Sequence, residues 1–473
     1  MKNTRLLVPA IAFLLSGCVA GPEYKAPETD LPAKFSESSA KRADSVTLNP
    51  WWENYRDKRL NALVQDGMDK NLDVLTALER IVEARANVIA AGAGGLPSIN
   101  GNAAAVIEGE DRSHIKNYPG KDVEISKSAS AGLNASWLLD LFGQYRRSRE
   151  AARASLDAAF DSVNVARLAY FSDLIATYID LRYYQEAMAQ TRRNLGSRRE
   201  TLKLINDIKE AGAVSRLDVV QAEGLVNQTL SELPSLETGF HQAANHIATL
   251  LGVPAASLTP SLIKGAGQPV PRYAPKTGIP ADLIRNRPDI RRAERLLAAA
   301  TASIGVAEAQ LYPSISLGGT INSTRISSSA ATGGLLTWSF GPSVAVPIFN
   351  GGALRAQVDI AKSGAAQQYL AWKQTVLRAV EEVETAQIAL RRDYQTLGAV
   401  RRLVASYEEA LSLARESYKS GASTVLDVLD AERNVANARL SLAGAVRQLS
   451  LDYVALNVAI GGGSDVGGEV ASK

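Results

Sequence analysis

Four stretches of the chain alternate apolar and small polar side chains with a period of two. The clearest puts Leu336, Trp338, Phe340, Val344, Val346 and Ile348 on one face, against Thr337, Ser339, Gly341, Ser343 and Ala345 on the other. A second puts Ala129, Ala131, Leu133, Ala135, Trp137, Leu139 and Leu141 against Ser128, Ser130, Gly132, Asn134 and Ser136. Ile315, Leu317 and Ile321 alternate with Ser314, Ser316, Thr320 and Asn322, and a weaker run follows Pro97. The period is that of a β-strand. Apolar residues on one face and small polar ones on the other, over about ten residues, are the pattern of a transmembrane strand. A soluble half-buried strand would explain any one segment, but four in two pairs favour the membrane reading.

The other dominant pattern is helical. Gln144 to Glu210 contains no proline and one glycine, Gly196; Ala353 to Ser420 contains no proline and only Gly364 and Gly398. At 1.5 Å per residue either run spans roughly 100 Å as one helix. The pattern resumes after Gly212 and Gly421, so each run predicts a long helical hairpin with its tip at the glycine. Small residues such as Ala151-Ala152, Ala158-Ala159 and Ala365-Ala366 suit helices packed side by side as in a coiled coil.

Strands and hairpins occur twice because the chain contains itself twice. Leu96-Pro97-Ser98-Ile99 matches Tyr312-Pro313-Ser314-Ile315 at an offset of 216 residues. Ala211-Gly212-Ala213-Val214-Ser215 through Asp218-Val219 matches Ser420-Gly421-Ala422-Ser423-Thr424 through Asp427-Val428 at 209. The first copy therefore holds seven extra residues between these landmarks, which are expected in a loop around His114 to Asp122. The organisation reads as a signal peptide (1–17), an irregular tether (18–60), repeat 1 (61–252), a linker (253–280) whose prolines should keep it extended and non-helical, repeat 2 (281–461) and a tail (462–473).

Composition adds little beyond excluding partners: 52 Lys+Arg against 49 Asp+Glu in 473 residues give no reason to expect nucleic acid. The start of the chain is more informative. Lys2 and Arg5 precede an apolar run from Leu6 to Leu15, and Leu15-Ser16-Gly17-Cys18 resembles a bacterial lipobox. Cys18 is the only cysteine, so it reads as the attachment point of a covalent lipid, diacylglycerol and an acyl chain, with no other cofactor. Val19 in place of an aspartate favours sorting to the outer membrane. No later segment has about 18 consecutive apolar residues, so a crossing would be by β-barrel. Four strands fall short of the about eight that close the smallest single-chain barrels, so several chains must share one. The sequence holds no Walker A or dinucleotide glycine pattern, and His241 and His246 stand five apart, off one helical face, so neither an enzyme nor a metal site is expected.

Several strings carry a resemblance: Gly17-Cys18 followed by Gly21-Pro22-Glu23-Tyr24, then Trp51-Trp52, Arg287-Pro288-Asp289-Ile290, Pro347-Ile348-Phe349-Asn350-Gly351-Gly352 and Leu429-Asp430-Ala431-Glu432-Arg433. With the duplicated strands and hairpins, the chain resembles the TolC-type outer-membrane factor family, in its lipoprotein branch serving tripartite efflux systems. The resemblance implies an α+β membrane protein: a homotrimer with a twelve-stranded barrel in the bacterial outer membrane, four strands per chain, continued by a periplasmic barrel of coiled-coil hairpins with an equatorial region. It implies a passive exit channel for drugs or other toxic small molecules, with a periplasmic adaptor, a proton-driven inner-membrane pump and outer-membrane lipid as partners. A type I secretion duct and a structural coiled-coil lipoprotein are the alternatives.

The tips carry the candidate functional residues. Ser215 with Asp218 and Thr424 with Asp427 have the spacing of capping boxes at helix starts. Asp430 lies beyond the second box, on the face of Leu426 and Arg433, and its counterpart in the first copy is Gln221. By resemblance, Leu426 supplies an apolar ring and Asp430 an acidic ring at the periplasmic mouth, with Arg433 pairing to a neighbouring chain. An exposed ion pair within one helix is the competing reading for Arg433.

Overall fold

The structure, a computed structural model, describes residues 19–36, 46–111, 113–116, 123–212, 214–272, 280–328 and 332–465, leaving aside the side chain of residue 285. The signal peptide and Cys18 lie outside the described residues. The elements run α1 (Lys58–Met68), α2 (Leu72–Ala93), β1 (Ser98–Asp111), β2 (Val123–Leu139), α3 (Gln144–Glu210), α4 (Arg216–Leu250), α5 (Ala255–Leu262), α6 (Pro280–Asn286), α7 (Pro288–Ala309), β3 (Ser314–Ser327), β4 (Thr332–Ala345), α8 (Ala353–Lys419) and α9 (Val425–Ala459).

The duplication is visible element by element. The long helices α3 and α8 have 67 residues each, and α4 and α9 have 35 each. Asp111 stands 216 residues before Ser327, the end of β3, and Val123 stands 209 before Thr332, the start of β4, so the seven extra residues fall between β1 and β2. Gly212 and Gly421 take φ of +78° and +75° where the long helices end, the left-handed conformation that glycine adopts without a Cβ penalty.

The strands form one antiparallel sheet in the order β1-β2-β3-β4. Its register keeps the two faces apart: Leu133 pairs with Ile321 and Trp137 with Leu317 on the apolar face, Asn134 with Thr320 on the polar one. Between β3 and β4, Ile321 meets Trp338, while Thr320 meets Ser339 with their hydroxyls 2.8 Å apart. The apolar face lies bare in the single chain, with Trp338 77% and Phe340 73% exposed. The strands are shorter than the alternation suggests: Leu141, Val346 and Ile348 continue the pattern past the ends of β2 and β4. Tyr312 packs in the turn into β3, its ring stacked 4.6 Å from Phe142, and the Trp137 indole donates to the Gly95 carbonyl at 3.0 Å.

The chain divides into two units, each with its own packing. One holds the sheet, with residues 81–158 and 293–372 and the chain up to residue 28; the other holds residues 29–80, 159–292 and 373–473. Two sequence expectations are corrected. The stretch 18–60 is not an irregular tether throughout: Trp51–Tyr55 form a 3-10 turn, and Trp51 and Trp52 are core residues, 1% and 5% exposed. Trp51 and Tyr55 pack edge-on against Tyr453, and Trp52 lies 4.7 Å from Phe171. Asp57 then caps α1 by accepting from the Arg59 and Leu60 amides, so the first repeat's opening helix starts inside the supposed tether. The linker 253–280 is not wholly extended either, because Ala255–Leu262 is helical with Pro260 inside it. Proline there removes one internal hydrogen bond, and in so short a helix Pro254 at the N-cap and the fully buried Leu262 hold the remainder. Pro280 and Pro288 open α6 and α7, the first-turn position where a missing N–H is no loss.

Candidate functional site: the helical tips

At the far ends of the long helices, four helix termini meet in one small core. Ile205 of α3, Val219 and Ala222 of α4, and Val425 and Leu429 of α9 are buried together, with Leu202, Val214, Leu225 and Tyr418 packed against them. The apolar spacing at the start of α9 selects Val425 and Leu429 for the inside and leaves Leu426 51% exposed.

Both capping boxes are formed. The Asp218 amide donates to Ser215 Oγ, and the Ser215 amide donates to Asp218 Oδ2 at 2.9 Å. The Thr424 amide donates to Asp427 Oδ2 at 2.8 Å, with the reciprocal bond to Thr424 Oγ1 present. The serine hydroxyl and backbone hold the Asp218 carboxyl below the usual carboxylate range, and the Thr424 backbone and hydroxyl do the same for Asp427. These four residues hold the two turns in shape.

Asp430 and Arg433 form an ion pair within α9, Nη2 to Oδ1 at 2.9 Å, with both side chains about half exposed. In the single chain Arg433 thus turns to its own Asp430 rather than outward. Leu217, the first-copy counterpart of Leu426, is exposed too, but Gln221 and Gly224 stand where α9 has Asp430 and Arg433. Only the second tip carries charge on this face.

The tip also contains a group that sequence reasoning missed. Glu432 is buried, accepting from Thr201 Oγ1 at 2.7 Å, Ser197 Oγ at 3.2 Å and Arg415 Nη2 at 2.7 Å. It ties α9 to both α3 and α8. Its Oε2 has no partner, and neither has Nε of the nearby buried Arg198, whose Nη1 donates to the Leu225 carbonyl at 3.0 Å and to Thr229. Burial lowers the Arg198 pKa from its ordinary value. The one available signal was that Glu432 repeats Glu223 at the 209 offset, and that glutamate faces an exposed Arg216 instead. Among the described residues no cluster of metal-binding side chains occurs, and no helix is long and apolar enough to cross a membrane.

Comparisons with known proteins give this geometry a context. The sequence matches the outer membrane efflux protein family over residues 63–253 and 279–462, one segment on each copy. Nodulation protein T of Rhizobium leguminosarum bv. viciae is 51% identical over 464 residues, covering 98% of this chain and 94% of that protein. Outer membrane protein OprJ of Pseudomonas aeruginosa is 32% identical over 472 residues, covering 97% of this chain and 95% of the other. The solved outer-membrane channel OprN superposes with a TM-score of 0.82 at 31% identity, over 94% of this chain and all of that one. One four-stranded sheet built from two repeated strand pairs, with a bare apolar face, together with long helical hairpins and these matches over both copies, leads to one conclusion: the chain belongs to the outer membrane efflux protein family, as an efflux channel of the outer membrane.

Proposed function

We propose that three copies join their sheets into one twelve-stranded barrel and their hairpins into a tunnel, and that this tunnel receives small toxic molecules from a periplasmic adaptor and an inner-membrane pump. The observation that carries this is the open sheet: β1 and β4 are edges, and unpaired backbone at a sheet edge is not tolerated in lipid. Closure by further copies satisfies every strand. The chain supplies a passage and no chemistry, so the energy and the choice of cargo belong to the pump. Diacylglycerol and an acyl chain on Cys18 hold each copy to the outer membrane.

At the mouth, three copies of Leu426 and Asp430 form an apolar and an acidic ring, and opening separates them. The placement of the half-exposed Leu426 on the same face of α9 as Asp430, four residues on, supports this, because one face then carries both groups of the proposed constriction. Single-channel conductance in planar bilayers tests it: the parent protein is nearly silent and Asp430→Ala conducts steadily. Equal conductance of both removes Asp430 from the gate while keeping the channel. Silence from both, with no heat-resistant trimer on a gel, overturns the channel.

A further inference from the structure

The string Gly21-Pro22-Glu23-Tyr24 follows the lipid attachment point, and neither the barrel nor the mouth explains it. In the structure it is not slack. The Ala20 amide donates to the Phe142 carbonyl at 3.0 Å, in the corner between β2 and α3. Arg147, 2% exposed in the first turn of α3, reaches back along the segment: Nε donates to the Ala20 carbonyl at 3.0 Å, and Nη2 donates to the Gly21 carbonyl at 3.3 Å and to Glu23 Oε1 at 2.8 Å. Gly21 has φ +86°, and a Cβ there would collide with the backbone of Gly305 in α7; a Cβ on Gly305 would in turn stand 2.6 Å from the Ala20 carbonyl oxygen. Tyr24 packs on Ala154, Ala298 and Ala299 and donates to Glu294 Oε1 at 2.5 Å. Two glycines leave room for the backbone, a buried arginine satisfies two carbonyls and a carboxylate, and a tyrosine closes the far end. A loose tether needs none of these.

We propose that Val19–Tyr24 is a clip that seats the N-terminal segment between α3 and α7 and fixes where the lipid enters the bilayer, beside the end of β2. Val19 lies against Gly143, where a Cβ would meet its Cγ1 at 2.7 Å. Cys18 immediately precedes Val19 in the sequence. The surface recognised is the membrane leaflet at the strand ends, and Arg147 is the positioning residue. The inference rests on Cys18 being acylated.

The test uses the full-length protein in phospholipid vesicles, with a nitroxide on Pro22→Cys; the acylated Cys18 does not react. The clip predicts an immobilised spectrum that becomes mobile in Arg147→Ala. In the unlabelled protein it predicts trypsin cleavage after Lys25 about tenfold faster for Glu23→Ala or Tyr24→Phe, the population change from losing one hydrogen bond of this kind. These two substitutions lie outside the helices and carry the test if Arg147→Ala does not assemble. A mobile label in the parent, or cleavage unchanged in both variants, overturns the clip. The mass of the N-terminal peptide separates the two ideas: without the lipid mass, the acylation reading falls; with it and a mobile label, only the clip does.

Discussion

The residues at the tips differ in what they face, and pH distinguishes them. Asp218 and Asp427 accept hydrogen bonds as carboxylates, so their folded pKa lies below the unfolded value of about 3.9. Their contribution is complete above that value and is lost as pH falls through the folded one. The protection of the Ser215 and Thr424 amides against hydrogen exchange, taken relative to the intrinsic rate at each pH, should therefore be high at pH 7 and fall below about pH 3.9. Thr424→Ala should raise local opening of its turn roughly fivefold at neutral pH, as losing one cap does. Asp452 has the opposite sign. Burial and a hydrogen bond shared with Asp393 push its carboxyl up to about 6, so the folded protein holds a proton that the unfolded chain releases near 3.9. That stabilisation is full at low pH and declines as pH rises through about 6. Asp452→Asn should flatten the fall in thermal midpoint between pH 4.5 and pH 7; an unchanged slope would place the pH dependence elsewhere.

Elements were legible where the backbone alone decides them. Gly212 and Gly421 ended the long helices in the sequence as they do in the structure, because a left-handed turn needs glycine and the preceding runs lack proline. The strand pairs were legible from alternation, and the offsets placed the extra loop. What stayed hidden depends on neighbours. Pro260 inside α5, and Pro234 inside the unbroken α4, break a rule that holds only when packing does not compensate. The burial of Trp51 and Trp52 depends on Tyr453 and Phe171, 402 and 119 residues further along the sequence. Glu432 and Arg433 are adjacent charges, and only the packing of α3 and α8 around α9 turns one in and leaves the other out. Removing the inward one should matter more for stability. Glu432→Ala should destabilise by about 2 kcal/mol in denaturant titrations, less than the roughly 3–5 kcal/mol of a fully buried pair because Arg415 keeps access to water. Arg433→Ala should shift it by less than about 0.5 kcal/mol.

At the scale of the whole molecule, the two faces of the sheet make different demands. Phe340→Lys puts a charge on the apolar face and should reduce membrane-inserted trimer by about 2–4 kcal/mol per chain. Ser339→Lys, one residue away on the polar face, should leave insertion intact. Trimer yield on unheated gels reads both, and equal loss would contradict a lipid-facing apolar side. The equal lengths of α3 and α8 have a consequence for how such a chain can change over time. Each begins just after its strand pair, and both end at the shared core of Ile205, Val219, Val425 and Leu429. Removing seven residues from one alone would draw its end back by about 10 Å and pull that core apart. Insertions and deletions in these helices must therefore come in compensating pairs, so a lineage can lengthen or shorten its tunnel only by altering both halves in step, while the loop between β1 and β2 is free to drift.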